Sequence, residues 1–280
     1  MMFTLKNAIQ TISVVLTLMP WNPSFASLVI CIYHNNQIYL GSDSLVHGEG
    51  GEKNFNTPKI FPIADTCWVS ITGNYGSTFR DTKTGSIISR IILPLELGQI
   101  CRDLNATNQP LEYKIITVAK QFGSKYIDYF RKMLSIGKDP RKIEATRLYF
   151  VGYDPSTKSF FGKSCLFQGT NQAALETRFV RNSKNNLTDF SFQGEDHFLP
   201  ALLTSSDEIF IKLRSDDLKR TMSQLWRPDS VVSDESVTNL MLEMFSLQKA
   251  KASSTGHDKG FIGEPYVIYK ITTEQTTKIH

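Results

Sequence analysis

Apolar positions recur along this chain with two different periods. Early on they come in short runs rich in β-branched and aromatic side chains. Leu28–Tyr33 and Gln37–Gly41 are parted by His34, Asn35 and Asn36, which predicts a hairpin. Lys59–Ile63 and Cys67–Thr72, around Ala64, Asp65 and Thr66, predict a second pair of strands. The polar, glycine-rich stretch Val46–Thr57 between the pairs predicts a loop. From residue 86 the period lengthens. Ile87, Ile88, Ile91, Leu95, Leu97 and Ile100 predict a helix over Ser86–Leu104, broken at Pro94. Ile115, Val118, Phe122, Tyr126, Ile127 and Phe130 predict an amphipathic helix over Leu111–Leu134. Both stripes are expected to be packing faces.

Strand patterns return at Arg147–Gly152 and Phe160–Gly162, with Asp154, Pro155 and Ser156 as the turn. Lys163–Ser191 is polar and carries no clear period. Ser233–Lys251 predicts a helix capped by Ser233, with Val237, Leu240, Met241, Met244 and Phe245 on one side. Tyr266–Ile271 is expected to be the last strand. No internal repeat or linker divides the chain. This order predicts one layered domain of class α+β, with helices covering antiparallel sheets.

Composition adds little to that picture. The 280 residues are 41% hydrophobic and 21% charged, with a net charge of +4. No long run of Lys or Arg is present, so no nucleic-acid partner is expected. The four cysteines Cys31, Cys67, Cys101 and Cys165 show no C-x-x-C spacing and no nearby His cluster. A zinc site is therefore not expected. Two disulfides and four buried thiols are both open readings. Asn105-Ala-Thr107 and Asn186-Leu-Thr188 match the glycosylation pattern, which matters only in a eukaryotic secretory path.

The first 26 residues differ from the rest. Lys6 stands before the apolar run of Ile12, Val14, Val15, Leu16, Leu18 and Met19, and Pro20 to Pro23 break it. Ser24 and Ala26 supply small residues before a cut. This is the layout of a secretory signal peptide over residues 1–26, with the functional domain at 27–280. An uncleaved anchor or a buried first helix is the alternative. Cleavage after Ala26 would export the protein to a periplasmic or extracellular space. No later stretch approaches the roughly 20 apolar residues of a membrane helix, so no membrane association is expected after cleavage.

Such a cut would make Ser27 residue one. A serine hydroxyl needs a base, and a free α-amino group, with a reference pKa of about 7.7–8.0, is one near neutral pH. A nearby Lys would add positive charge, an Asp would hold the Lys, and a glycine N–H would receive an oxyanion. Asp43 ends the second predicted strand in IYLGSDS, Lys59 begins the third in TPKIFPI, and Gly73 ends the fourth in VSITGNYG. They stand 16, 32 and 46 positions after Ser27. Taken singly, Asp43 would be a turn cap, Lys59 a solvated strand-edge charge, and Gly73 the start of the following helix.

In that register the chain resembles proteasome β-subunits and their bacterial ATP-dependent relatives, which are N-terminal-nucleophile (Ntn) hydrolases. LYFVGYDP resembles the family's strand and turn after the paired helices. Asp258 before FIGEPYVIYKI resembles the segment whose Asp supports the N-terminal amine. The resemblance implies a four-layer αββα sandwich and amide hydrolysis through an acyl-enzyme, with Ser27, Asp43, Lys59, Gly73 and Asp258 as the catalytic set and no metal or organic cofactor. It also implies a specificity pocket near Val46, Thr57, Phe61, Ile71, Tyr75 and Phe79, of which Ile71 is expected to be core in any case. That pocket would favour apolar substrate side chains. Lys59→Ala is expected to give a folded, inactive protein.

The chain departs from the family in three places. Residues around Phe261, Ile262 and Gly263 replace a Ser-Gly-Gly turn. In FQGED, Gly194 aligns with a G-S-G-like turn and Glu195 stands where the Ser would be. Ala26 precedes the nucleophile where the family usually has a self-cleaved glycine, so export rather than autolysis would unmask Ser27. A peptide or a small amide is the expected substrate, and a homo-oligomer is compatible with the family. A non-catalytic binding or structural member of the fold, and a small-molecule amidase outside any ring, are the rival readings.

Overall fold

The computed structural model describes residues 28–44, 46–47, 53–54, 57–80, 86–182, 189–194, 215–225, 227, 230–254 and 263–280. The first half carries β1 (Leu28–His34), β2 (Gln37–Ser42), β3 (Val46–His47), β4 (Lys53–Asn54), β5 (Ile60–Ala64), β6 (Cys67–Gly73), β7 (Gly76–Arg80) and β8 (Ile87–Ile92). Helices α1 (Leu93–Asn105) and α2 (Leu111–Ser135) follow. Then come β9 (Thr146–Asp154), β10 (Ser159–Gln168), β11 (Asn171–Gln172), β12 (Glu176–Asn182) and β13 (Asp189–Gly194). Helices α3 (Asp216–Leu225) and α4 (Asp234–Ser254) precede β14 (Val267–Ile271) and β15 (Thr276–Lys278).

The fold is mixed α+β, with antiparallel sheets. One five-stranded sheet runs β13-β1-β2-β14-β15, and a six-stranded sheet runs β11-β10-β9-β6-β5 with β12 also on β10. The β1–β2 hairpin closes on Asn35 and Asn36, whose φ angles of 48° and 58° are left-handed. Tight hairpin turns need that conformation at both central residues, and Asn adopts it more readily than most side chains. Strand β1 is buried at every position, because each of its faces meets a different layer. Val29, Cys31 and Tyr33 join Ile60, Tyr149, Val151 and Phe160 in a core between the two sheets. Leu28, Ile30 and Ile32 point the other way, into a cluster with Leu218, Met241, Met244 and Phe245 of α3 and α4. The far side of the six-stranded sheet packs Val69, Ile71 and Leu148 under Leu97, Ile115 and Phe122 of α1 and α2.

Several sequence expectations change, among them the loop expected over Val46–Thr57, within which β3 and β4 pair. Residues 87–92 form a strand paired with β7 rather than a helix, and the helix begins at Leu93. Four isoleucines in IISRII are stiff at χ1 and favour extended backbone. Pro94 lies in the first turn of α1, where its missing N–H costs no hydrogen bond, so it starts the helix instead of breaking it. The unassigned stretch after residue 163 is largely strand: β10 runs on to Gln168, and β12 pairs along it. Apart from Val180, the exposed residues of β12 are polar, as suits an edge strand, and this hides the period. The chain also continues past β14 into β15. All four cysteines are buried thiols outside any disulfide, which decides the disulfide question.

Helix α4 is anchored at its start. Ser233 Oγ accepts from the Ser236 N–H at 3.1 Å. Asp234 accepts from the Tyr39 hydroxyl at 2.7 Å and from Lys270 Nζ at 2.8 Å. Burial raises the Asp234 carboxyl, but the Lys270 and Tyr39 hydrogen bonds outweigh it and hold the group below its ordinary range. Its folded pKa therefore lies below the unfolded one. The stability it contributes is present above the unfolded value and lost as pH falls through the folded one. Wild type and Asp234→Asn should differ in urea midpoint at pH 7 and converge as pH falls through the lowered folded pKa. A difference that persists in acid would mean that the side chain acts by packing alone.

Candidate functional site

Where β1 begins and β2 ends, the Asp43 N–H donates to the Leu28 carbonyl at 3.3 Å. The Leu28 N–H donates back to Asp43 Oδ1 at 2.9 Å. The aspartate side chain is thus turned toward the beginning of β1, one residue after Ser27. From the other sheet, Lys59 stands directly before β5. Its carbonyl accepts from the Ile71 N–H at 3.0 Å, which registers it against β6. Its Nζ donates to both Asp43 oxygens, each at 3.0 Å. Both side chains are fully removed from solvent.

The Leu28 N–H and the Lys59 ammonium converge on the same carboxylate oxygen. The ammonium therefore lies no farther from the start of β1 than those two bonds end to end. Burial pushes the Asp43 carboxyl up, against the pull of Lys59 and of backbone hydrogen bonds from Leu28 and Gly263. Burial also draws Lys59 below the ordinary lysine range, while Asp43 holds it partly back. The reading of Lys59 as a solvated strand-edge charge does not hold. Nor does the expectation that Lys59→Ala leaves folding untouched, because it would strand a buried carboxylate.

Gly73 ends β6 with φ +91°, a left-handed value that side chains rarely adopt. A Cβ there would stand 2.2 Å from the Ala145 carbonyl oxygen, so glycine is required on two counts. Its neighbours reach the lysine from both sides: Ile71 through the backbone, and Tyr75 through a ring centroid 5.1 Å from Lys59 Nζ.

Gly263 is a contributor that the spacing of motifs did not single out. Its carbonyl accepts from the Ser44 N–H at 3.3 Å, and its backbone also hydrogen-bonds the Asp43 carboxylate. Ser44 Oγ donates to the Pro265 carbonyl at 2.6 Å. The segment before β14 therefore closes over Asp43. The signal available in the sequence was the glycine in FIGEP, at the position where the turn departs from the family pattern.

Ser27, Asp258 and Glu195 lie outside the described residues. Gly194 pairs with Leu28 across the β13–β1 ladder, at the start of β1. For the implied pocket, Phe61, Ile71, Tyr75 and Phe79 share the buried cluster under α1 and α2. Thr57 is buried, and Val46 is described only as backbone in β3. Among the described residues, no group of three or more His, Cys, Asp or Glu is arranged to hold a metal ion, and no helix is long and apolar enough to cross a membrane. Comparison with models of known protein families and with curated proteins returns no match for this chain.

Proposed function

We propose that the chain is an exported Ntn hydrolase of the proteasome β-subunit type, an αββα sandwich that cleaves amide bonds with Ser27 as its N-terminal nucleophile. One observation carries this reading. A bidentate Asp43–Lys59 pair, fully buried, is hydrogen-bonded to the backbone N–H of the residue that follows Ser27. Burying two charges costs several kcal/mol per ion, and such pairs add little to stability over an apolar replacement. A pair kept at this position is better explained by the charge it places beside residue 27.

In the proposed reaction the Ser27 hydroxyl attacks the amide carbonyl and its own α-amino group takes the proton. The Lys59 charge favours the developing alkoxide, and the Gly73 N–H faces the oxyanion. Collapse expels the amine, which takes up the proton and leaves an ester on Ser27. Water, activated by the same amino group, hydrolyses the ester and frees the hydroxyl. Asp258 would support the amine. The layer order also supports this reading, because a helix pair covers the outer face of each sheet.

The test compares protein released with a free Ser27 amine against the same protein still carrying Ala26, on a panel of fluorogenic peptides and small amides. Hydrolysis is expected only from the free amine, with apolar residues preferred before the scissile bond. Equal rates from both forms would refute Ser27 as residue one. A preference for Arg, Lys, Asp or Glu would refute the apolar pocket. Turnover of small amides alone would favour the amidase, and no turnover at all the non-catalytic reading. The intact mass of the exported protein should place its first residue at Ser27.

A further inference from the structure

We infer that Tyr75 is a positioning residue for Lys59, its ring holding the ammonium in place beside Asp43. The inference rests on the role proposed for Lys59 above. A closed circuit of contacts carries it. The Lys59 carbonyl accepts from the Ile71 N–H at 3.0 Å. The Ile71 carbonyl accepts from the Tyr75 hydroxyl at 3.2 Å. The Tyr75 ring then meets the Lys59 ammonium at 5.1 Å from its centroid, within the reach of a cation–π contact. Both ends of the lysine, backbone and Nζ, are thus tied to one stretch at the end of β6.

The ring itself is fixed. Tyr75 is only 7% exposed, and its carbonyl accepts from the Leu93 N–H at the start of α1 at 2.9 Å. Burial, and then the negative charges of Asp43 and Glu144, keep the phenol neutral well above its ordinary range, so the ring acts as an uncharged face. The Asp43 carboxylate restrains the ammonium from one side, and the aromatic face adds a restraint from another direction, in a site closed to solvent where the attraction is stronger.

The test replaces Tyr75 with Phe, 4-fluoro-Phe and 3,4,5-trifluoro-Phe in the protein released with a free Ser27 amine, a series that drains the ring's electron density with little change in shape. Lys59 Nζ is followed by nitrogen-15 NMR against pH. Its midpoint is expected to fall stepwise with fluorination, by about one pH unit from Phe to the trifluoro ring. The alkaline limb of hydrolysis should move in the same order. A flat midpoint across the series overturns the inference, and persisting hydrolysis would then leave the proposed function standing. A moving midpoint in a protein that hydrolyses nothing upholds the role of Tyr75 on Lys59 and refutes the hydrolase.

Discussion

Lys59→Ala should lose about 3–5 kcal/mol of folding stability as well as all hydrolysis, because it leaves Asp43 charged and unpaired in a dry site. Asp43 is 0% exposed and Lys59 1%, so the truncation takes the ionic partner from a carboxylate that has no access to bulk solvent. Asp43→Asn should lose a comparable amount by stranding the ammonium. The pair Asp43→Asn with Lys59→Met should recover most of both losses, since two neutral side chains of similar volume remove the desolvation penalty along with the attraction. Asparagine at 43 still offers an oxygen to the Leu28 N–H. The double variant is therefore the folded, inactive protein that Lys59→Ala alone cannot provide. Urea midpoints for wild type, Asp43→Asn, Lys59→Met and the double variant form a double-mutant cycle. Additive losses would show that the pair is not energetically coupled. Hydrolysis by the refolded double variant would remove Lys59 from the reaction.

Gly73→Ala should cost about 3–5 kcal/mol, combining left-handed strain with a backbone collision. Gly137, just past the end of α2, separates the two terms. Its φ is +80°, close to the +91° of Gly73, yet an added Cβ there meets nothing within 4 Å. Gly137→Ala should lose only about 1 kcal/mol, the usual penalty at a helix-terminal glycine. The excess at Gly73 reports the contact with the Ala145 carbonyl oxygen. Equal losses in denaturant melts would mean that β6 and β9 shift apart freely. Because Gly73 lies between Ile71 and Tyr75, the same substitution should displace both contacts to Lys59 and depress hydrolysis more than the stability loss accounts for.

Much of the frame was legible before any coordinates. The β1–β2 hairpin was written in two apolar runs around a polar Asn-Asn turn, and α2 in a long stripe of period 3.6. Both signals are local, so they survive any tertiary arrangement. The stretch IISRIILP was misread because four isoleucines and a proline satisfy a helical spacing as well as a strand followed by a helix start. Pairing with β7 decided between them. Edge strand β12 was invisible for the opposite reason, since a strand half in water needs few apolar positions.

Asp43, Lys59 and Gly73 could be chosen from sequence by chain offset alone, because type and spacing are properties of the chain. Their burial could not. Lys59 looks solvated in TPKIFPI, and only the approach of one sheet to the other takes it out of water and sets it against Asp43. Tyr75 was marked as a pocket residue by its offset, while its contact with Lys59 depends on the turn after Gly73. Gly263 lies 220 positions from Asp43, a separation that no periodicity spans. The sequence by itself determined the strands, the helices and the charged residues available for chemistry. The tertiary structure decided which of those charges were desolvated and paired, because the Coulomb energy between two side chains depends on their distance and on the water excluded around them.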